Sequence, residues 1–193
     1  MNITPADWVP GPGQGHWTYD HYASLPDDGH RYEIVNGILI DITATPGIPH
    51  QKVVQRLLRY LVPRVLDAGL GELLIAPLDV ELSPKTVLQP DVVIVLNAGL
   101  DKVTESHVIG APDLVIEVVT PRTAVYDRTV KREAYALAGV AEYWLVDRTD
   151  RTVEVLTLKK NTYLSEGVFR EQTSLHSKVI PTIAEVAVEQ VFA

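Results

Sequence analysis

Leu114-Val115-Ile116-Glu117-Val118-Val119 is the stretch on which the fold turns. Its aliphatic and β-branched residues run without polar alternation, the pattern of a strand covered on both faces. Glu117 interrupts that run. An ionised carboxylate inside a buried strand is costly to desolvate unless it is paired or coordinates a metal. The residue therefore marks an ion pair, a strand face open to water, or a functional centre. Asp91-Val92-Val93-Ile94-Val95-Leu96 has the same character, with Asp91 opening it after Pro90. There the acid also fits ordinary turn chemistry. Both stretches are expected to be central strands.

Working outward, Leu73–Leu82, Tyr143–Asp147 and Thr152–Leu158 read as further strands. Arg31–Val35 and Ile38–Thr43 flank Asn36-Gly37, the dipeptide that supplies the positive φ angles of a type I′ hairpin turn. A helix is expected from the cap Thr18 to about Leu25. A longer one spans Pro49–Leu66, where apolar pairs recur every four residues. Pro63 should kink or loosen its last turn, and Gly69 and Gly71 should end it. A further helix runs from about Val125 to Ala138 and stops at Gly139, and Thr182 is a candidate cap for a final one. Residues 1–17 form an irregular, Pro- and Gly-rich arm. No internal repeat is visible.

The chain of 193 residues, 46% hydrophobic, has enough apolar content for one core, so one α/β domain over 1–193 is expected, a mixed sheet flanked by helices. Cysteine is absent, which leaves oxygen and imidazole as the metal ligands and makes the cytoplasm the simplest location. No apolar run approaches the roughly 20 residues of a membrane span, so no membrane partner is expected. The net charge of -8 counts against a nucleic-acid partner without excluding one, because a basic stripe can lie on another face from an acidic site.

Several separated blocks agree in order and spacing with one family. They are Gln89-Pro90-Asp91, Pro112 to Pro121 around Glu117, Asp127, Lys131 and Tyr135, Gly139 to Asp147, Arg31 to Gly37, and His50. Over Thr18 to Leu158 the chain resembles the bacterial Uma-type putative restriction endonuclease family of the PD-(D/E)XK nuclease superfamily. The resemblance implies a restriction-endonuclease-like mixed β-sheet flanked by helices, with an N-terminal hairpin. It also implies Asp91 and Glu117 as metal-binding acids and Glu33 as a third acid. The usual motif has Lys two residues after the Glu; here that position is Val119. Lys131, from the following helix, would take its place, unless it is a solvated member of the Arg128/Lys131/Arg132 cluster.

The implied chemistry is phosphodiester hydrolysis with Mg²⁺ or Mn²⁺. Asp91 and Glu117 would hold the ion, with the Val118 carbonyl as a further ligand. Lys131 would orient or help deprotonate the attacking water and offset developing charge. Glu33 would assist the water or a second ion. His50 would hydrogen-bond into the site or contact phosphate, against the alternative of a structural helix-end histidine. Lys52, Arg56 and Arg59 share a helix face that either receives nucleic acid or is simply solvated. Tyr143 and Trp144 read as core.

Two functions of different class follow. One is a metal-dependent endonuclease acting on DNA, expected to be a homodimer because two symmetric sites suit two strands. The other is a non-catalytic nucleic-acid- or protein-binding module that retains the fold, favoured by the broken lysine position and the acidic charge. A Lys131 far from the acids would support the module. A hydrolase of smaller phosphoesters is a third reading, distinguished by an enclosed pocket. No separate DNA-reading motif is present.

Overall fold

The computed structural model describes residues 4–43, 47–183 and 187–193. Two mixed sheets face each other. The first, in the order β2-β1-β5-β4-β7, is built from β1 (Tyr32–Val35), β2 (Ile38–Asp41), β4 (Val80–Ser83), β5 (Thr86–Leu88) and β7 (Val108–Ile109). The second, in the order β11-β10-β9-β8-β6-β3, contains β3 (Gly71–Ile75), β6 (Val92–Leu96), β8 (Leu114–Val119), β9 (Glu142–Asp147), β10 (Thr152–Lys159) and β11 (Thr162–Arg170). Within it β8 and β9 are parallel and the other pairs antiparallel. Both unbroken apolar strands, β6 and β8, lie inside this sheet.

Side chains alternate across a strand, and β8 shows what each face meets. Leu114, Ile116 and Val118 pack with Val53, Leu57 and Leu61 of helix α2 (Ile48–Val65) and with Val191 and Phe192 of α5 (Glu189–Phe192). Val115 and Val119 face the other way, into a cluster with Val35, Ile40, Tyr135 and Tyr143. Glu117 shares this second face. Helix α1 (Tyr19–Ala23) starts where expected, with the Thr18 side chain accepting from the His21 N–H.

The hairpin has the predicted turn, with Asn36 at φ 51° and Gly37 at φ 76°. Gly37 is also a contact point for the N-terminal arm, since its carbonyl accepts from Gly15 N at 2.8 Å and Trp17 N at 3.0 Å. That arm buries Ala6 and Trp17 against Tyr32, Ile34 and Leu39.

Three expectations are corrected. Leu73–Leu82 is two strands in different sheets, because Pro77 cannot donate to a ladder and the chain crosses between the sheets there. The helix expected over Val125–Ala138 is α3 (Ala124–Tyr126), a π turn over Asp127–Lys131, and α4 (Arg132–Ala138), which ends at Gly139 with φ 94°. Pro63 lies in the last turn of α2, where it removes one donor, and Leu66 N reaches the Val62 carbonyl at 2.9 Å. Thr182 lies within a 3-10 turn, Pro181–Ile183, and residues 184–186 are outside the described ones. Among the described residues no helix is long and apolar enough to cross a membrane.

Candidate active site

Glu117 projects from β8 into the space between the sheets, and Glu33, two residues before Val35 on β1, projects toward it from the other side. Both are buried, at 4% and 1% exposure. Lys131 lies between them: its Nζ is 2.8 Å from Glu117 Oε1 and 2.9 Å from Glu33 Oε1. Tyr135, one turn further along the helix, donates its hydroxyl to the same Glu117 oxygen at 2.8 Å. The Gln89 backbone N–H donates to Glu33 Oε1 at 2.8 Å.

Asp91 arrives by register. Strand β6 pairs with β8 as Val92 opposite Ile116, so the next residue back, Asp91, stands opposite Glu117. Its Oδ2 accepts from Val118 N at 2.7 Å, taking over where the β6 backbone ladder ends. The same oxygen is 3.1 Å from His50 Nε2, which the first turn of α2 delivers. Except for Tyr135, these groups line one cavity of about 260 Å³, together with Arg31, Arg122 and Tyr126.

The electrostatics are out of balance in the acidic direction. Burial pushes the Glu117 carboxyl well above its ordinary range; Lys131 opposes this, while Asp127, Asp91 and Glu33 add to it. Asp127 is pushed up to about 6, chiefly by burial with Lys131 in opposition. Burial alone would lower Lys131, but the carboxylates of Glu117, Glu33 and Asp127 outweigh it and hold the ammonium charged. Tyr126 and Tyr135 are raised by burial and by the neighbouring acids, so both stay neutral donors. Among the described residues Lys131 is the only lysine or arginine paired with these carboxylates, and one ammonium cannot neutralise them all.

A divalent cation fits that deficit in a restricted way. Among the described residues no three His, Asp or Glu side chains converge on a point that would hold an ion. Lys131 occupies the space between Glu33 and Glu117. The donors left are the Asp91 and Glu117 carboxylates, with Val118 also lining the cavity, a set that suits an ion that keeps water and phosphate in most of its shell. Buried, unpartnered polar atoms remain at the site: Glu33 Oε2, His50 Nδ1 and the Tyr126 hydroxyl.

The family model for Uma2, described as "Putative restriction endonuclease", matches residues 19–189. The chain belongs to the Uma2 family. Its fold is similar to that of a putative nuclease belonging to DUF820 from Anabaena variabilis, with a TM-score of 0.71 and 18% identity over 91% of this chain and 97% of that one. Among curated proteins nothing matches.

For this Uma2 chain the structure brings Glu33, His50, Asp91, Glu117, Val118 and Lys131 to one cavity. Lys52 and Arg56 are not there; they line a separate groove. Two residues that carry the family resemblance, Arg31 and Tyr135, had no role assigned to them from sequence. Arg31 lines the cavity with its guanidinium held by Gln89 Oε1, at 2.9 Å from Nε and 2.6 Å from Nη2, and the Gln89 amide in turn donates to Asp79 at 2.8 Å. The signal was spacing, since Arg31 stands two residues before Glu33. Tyr135 was visible as the residue four after Lys131. Glu142 is a counterexample to burial as a marker: it is fully buried but satisfied by Trp144 Nε1 at 2.6 Å and Lys178 N at 2.7 Å, away from the cavity.

Proposed function

We propose that this chain is a divalent-metal-dependent nuclease that hydrolyses phosphodiester bonds in DNA, with Asp91, Glu117 and the Val118 carbonyl as ligands of Mg²⁺ or Mn²⁺. The observation that carries the reading is Lys131 Nζ at 2.8 Å from a buried Glu117 that stands opposite Asp91. A binding module that had lost turnover would gain nothing from holding these charges together, and burying them is costly. When bound, the ion lowers the pKa of a coordinated water and polarises the phosphoryl oxygens.

The protein's own groups divide the remaining work. Lys131 stays protonated at neutral pH, so it acts as a donor to the developing negative charge and does not accept the water's proton. Glu33 is held through Oε1, which leaves the buried Oε2 as an acceptor to orient the attacking water. His50 fixes the Asp91 carboxylate. Arg31, held by a neutral amide instead of a carboxylate, keeps its full charge for a phosphate.

Calorimetric titration of Mg²⁺ and Mn²⁺ into wild type, Asp91→Ala and Glu117→Ala, followed by plasmid nicking with the same samples, tests this. Wild type should bind metal and nick, and both variants should lose both. Unchanged nicking in the variants, or no metal binding by wild type, would sink the proposal in favour of the non-catalytic module that the net charge of -8 favours.

A further inference from the structure

The N-terminal turn of α2 separates two cavities. His50 faces the acidic one, while its neighbour Pro49 lines a second, of about 240 Å³, whose polar wall is Lys52, Arg56, Arg148, Thr149 and Arg151. Among the described residues no carboxylate lines this groove, and none of its cations has an acidic partner within ion-pair distance. Such a cluster is out of character for a chain of net charge -8.

The arginines are also held in place. Residues 148–151 form the tight turn between β9 and β10, fixed by Asp147 Oδ1 accepting from Thr149 N at 2.9 Å and Asp150 N at 3.1 Å. Arg151 adopts φ 53° in that turn, and its guanidinium lies 5.7 Å from the Phe192 ring centre. Arg148 Nε is buried without a hydrogen-bond partner. Arg148 and Arg151 both line the groove without an acidic partner, and guanidinium groups so placed are suited to an anion they can bind through more than one N–H.

We propose that the groove between α2 and the β9–β10 turn is a backbone track for the nucleic-acid strand whose phosphate enters the acidic cavity. This inference rests on the nuclease reading and extends it to residues the site does not contain. The geometry suits a polymer. From His50 to Arg56 is about 9 Å along the helix axis at a rise of 1.5 Å per residue, or two to three nucleotide steps of about 3.4 Å. Phosphate contacts carry no sequence information, so the track supplies register and affinity and leaves any base reading to other residues. An acidic protein segment is less suited, because the groove adjoins a site whose own substrate is a polyanion.

The test is fluorescence anisotropy of a labelled DNA duplex with the full chain in EDTA, where no cleavage occurs, across a range of salt concentrations. Two variants neutralise the track from different elements, Lys52→Gln/Arg56→Gln and Arg148→Gln/Arg151→Gln. A third, Lys159→Gln/Lys160→Gln, makes the same charge change on exposed residues outside the groove. Each track variant should bind at least about tenfold more weakly, with the slope of log affinity against log salt falling by about 0.9 for each phosphate no longer neutralised, and the control should match wild type. Thermal melts of the same samples identify any loss caused by misfolding, and the two track pairs check each other. Track variants with wild-type affinity and slope overturn the proposal, as does equal weakening by the control. Binding of poly-glutamate in preference to the duplex overturns it too. Normal DNA binding with no nicking by wild type in Mg²⁺ or Mn²⁺ would leave the track standing and remove the nuclease reading instead.

Discussion

Taking away Lys131 would strand two carboxylates that share its ammonium in the space between the sheets. Breaking a buried pair by deleting one partner costs about 3–5 kcal/mol, far more than the net worth of the pair, because the remaining charge has no solvent. Lys131→Met is therefore expected to lower the urea midpoint sharply, and adding Glu33→Gln should recover part of the loss; equal midpoints for the single and double variants would refute the shared pairing. Asp127 gives a pH signature. Its carboxyl titrates near 6 in the folded chain and lower when unfolded, so between about pH 4 and 6 the folded state binds more protons. Stability contributed this way is present at low pH and lost as pH rises through that window, a decline on the order of 2–3 kcal/mol that Glu117, raised in the same direction, reinforces. Melting temperatures of Asp127→Asn across pH 4 to 7 should show a flatter dependence than wild type.

The elements show which parts of the fold are written locally. Asn36-Gly37 was readable because the turn conformation is a property of the two residues themselves, and the burial of β8 was readable because a six-residue run without polar alternation has few other uses. β11 was not, since most of its residues are exposed and its sequence has no apolar period. The π turn was not either: it carries Lys131 to two acids remote in the chain, and no local pattern announces that contact. For the same reason Asp91 and Glu117 were legible as odd residues in strands, but Arg148 and Arg151 were not, being notable only beside Lys52 and Arg56. Two glycines separate local strain from contact. A Cβ at Gly139 meets nothing within 4 Å, so Gly139→Ala should cost only the left-handed penalty, about 1 kcal/mol. At Gly37 a Cβ would stand 2.5 Å from the Gly15 carbonyl oxygen as well, so Gly37→Ala should cost at least about 2 kcal/mol and loosen the strand that carries Glu33. Denaturant titrations that rank the two the other way would contradict this account.

At the scale of the whole molecule, the described residues of one chain offer one cavity with this acid and lysine set, and a DNA duplex has two strands to cut. A pair of copies related by a twofold axis is the arrangement that serves both. If the chain acts as such a pair, supercoiled plasmid should pass to linear product with little nicked circle at high protein concentration, and nicked circle should accumulate on dilution. Sedimentation of the same dilution series reports the assembly directly, and a monomer at every concentration would exclude the pair. The position of Lys131 reaches further. Val119, where the usual motif carries its lysine, is 1% exposed and packs in the cluster with Val115 and Tyr135, on the same strand face as Glu117. One charge thus has two possible addresses, a helix and a strand face that also carries Glu117. A lineage could carry lysine at both for a time and then discard either without ever passing through an ancestor that lacked the cation. On the nuclease reading, what descent would have to preserve is a position in space, with the spelling of the motif free to drift around it.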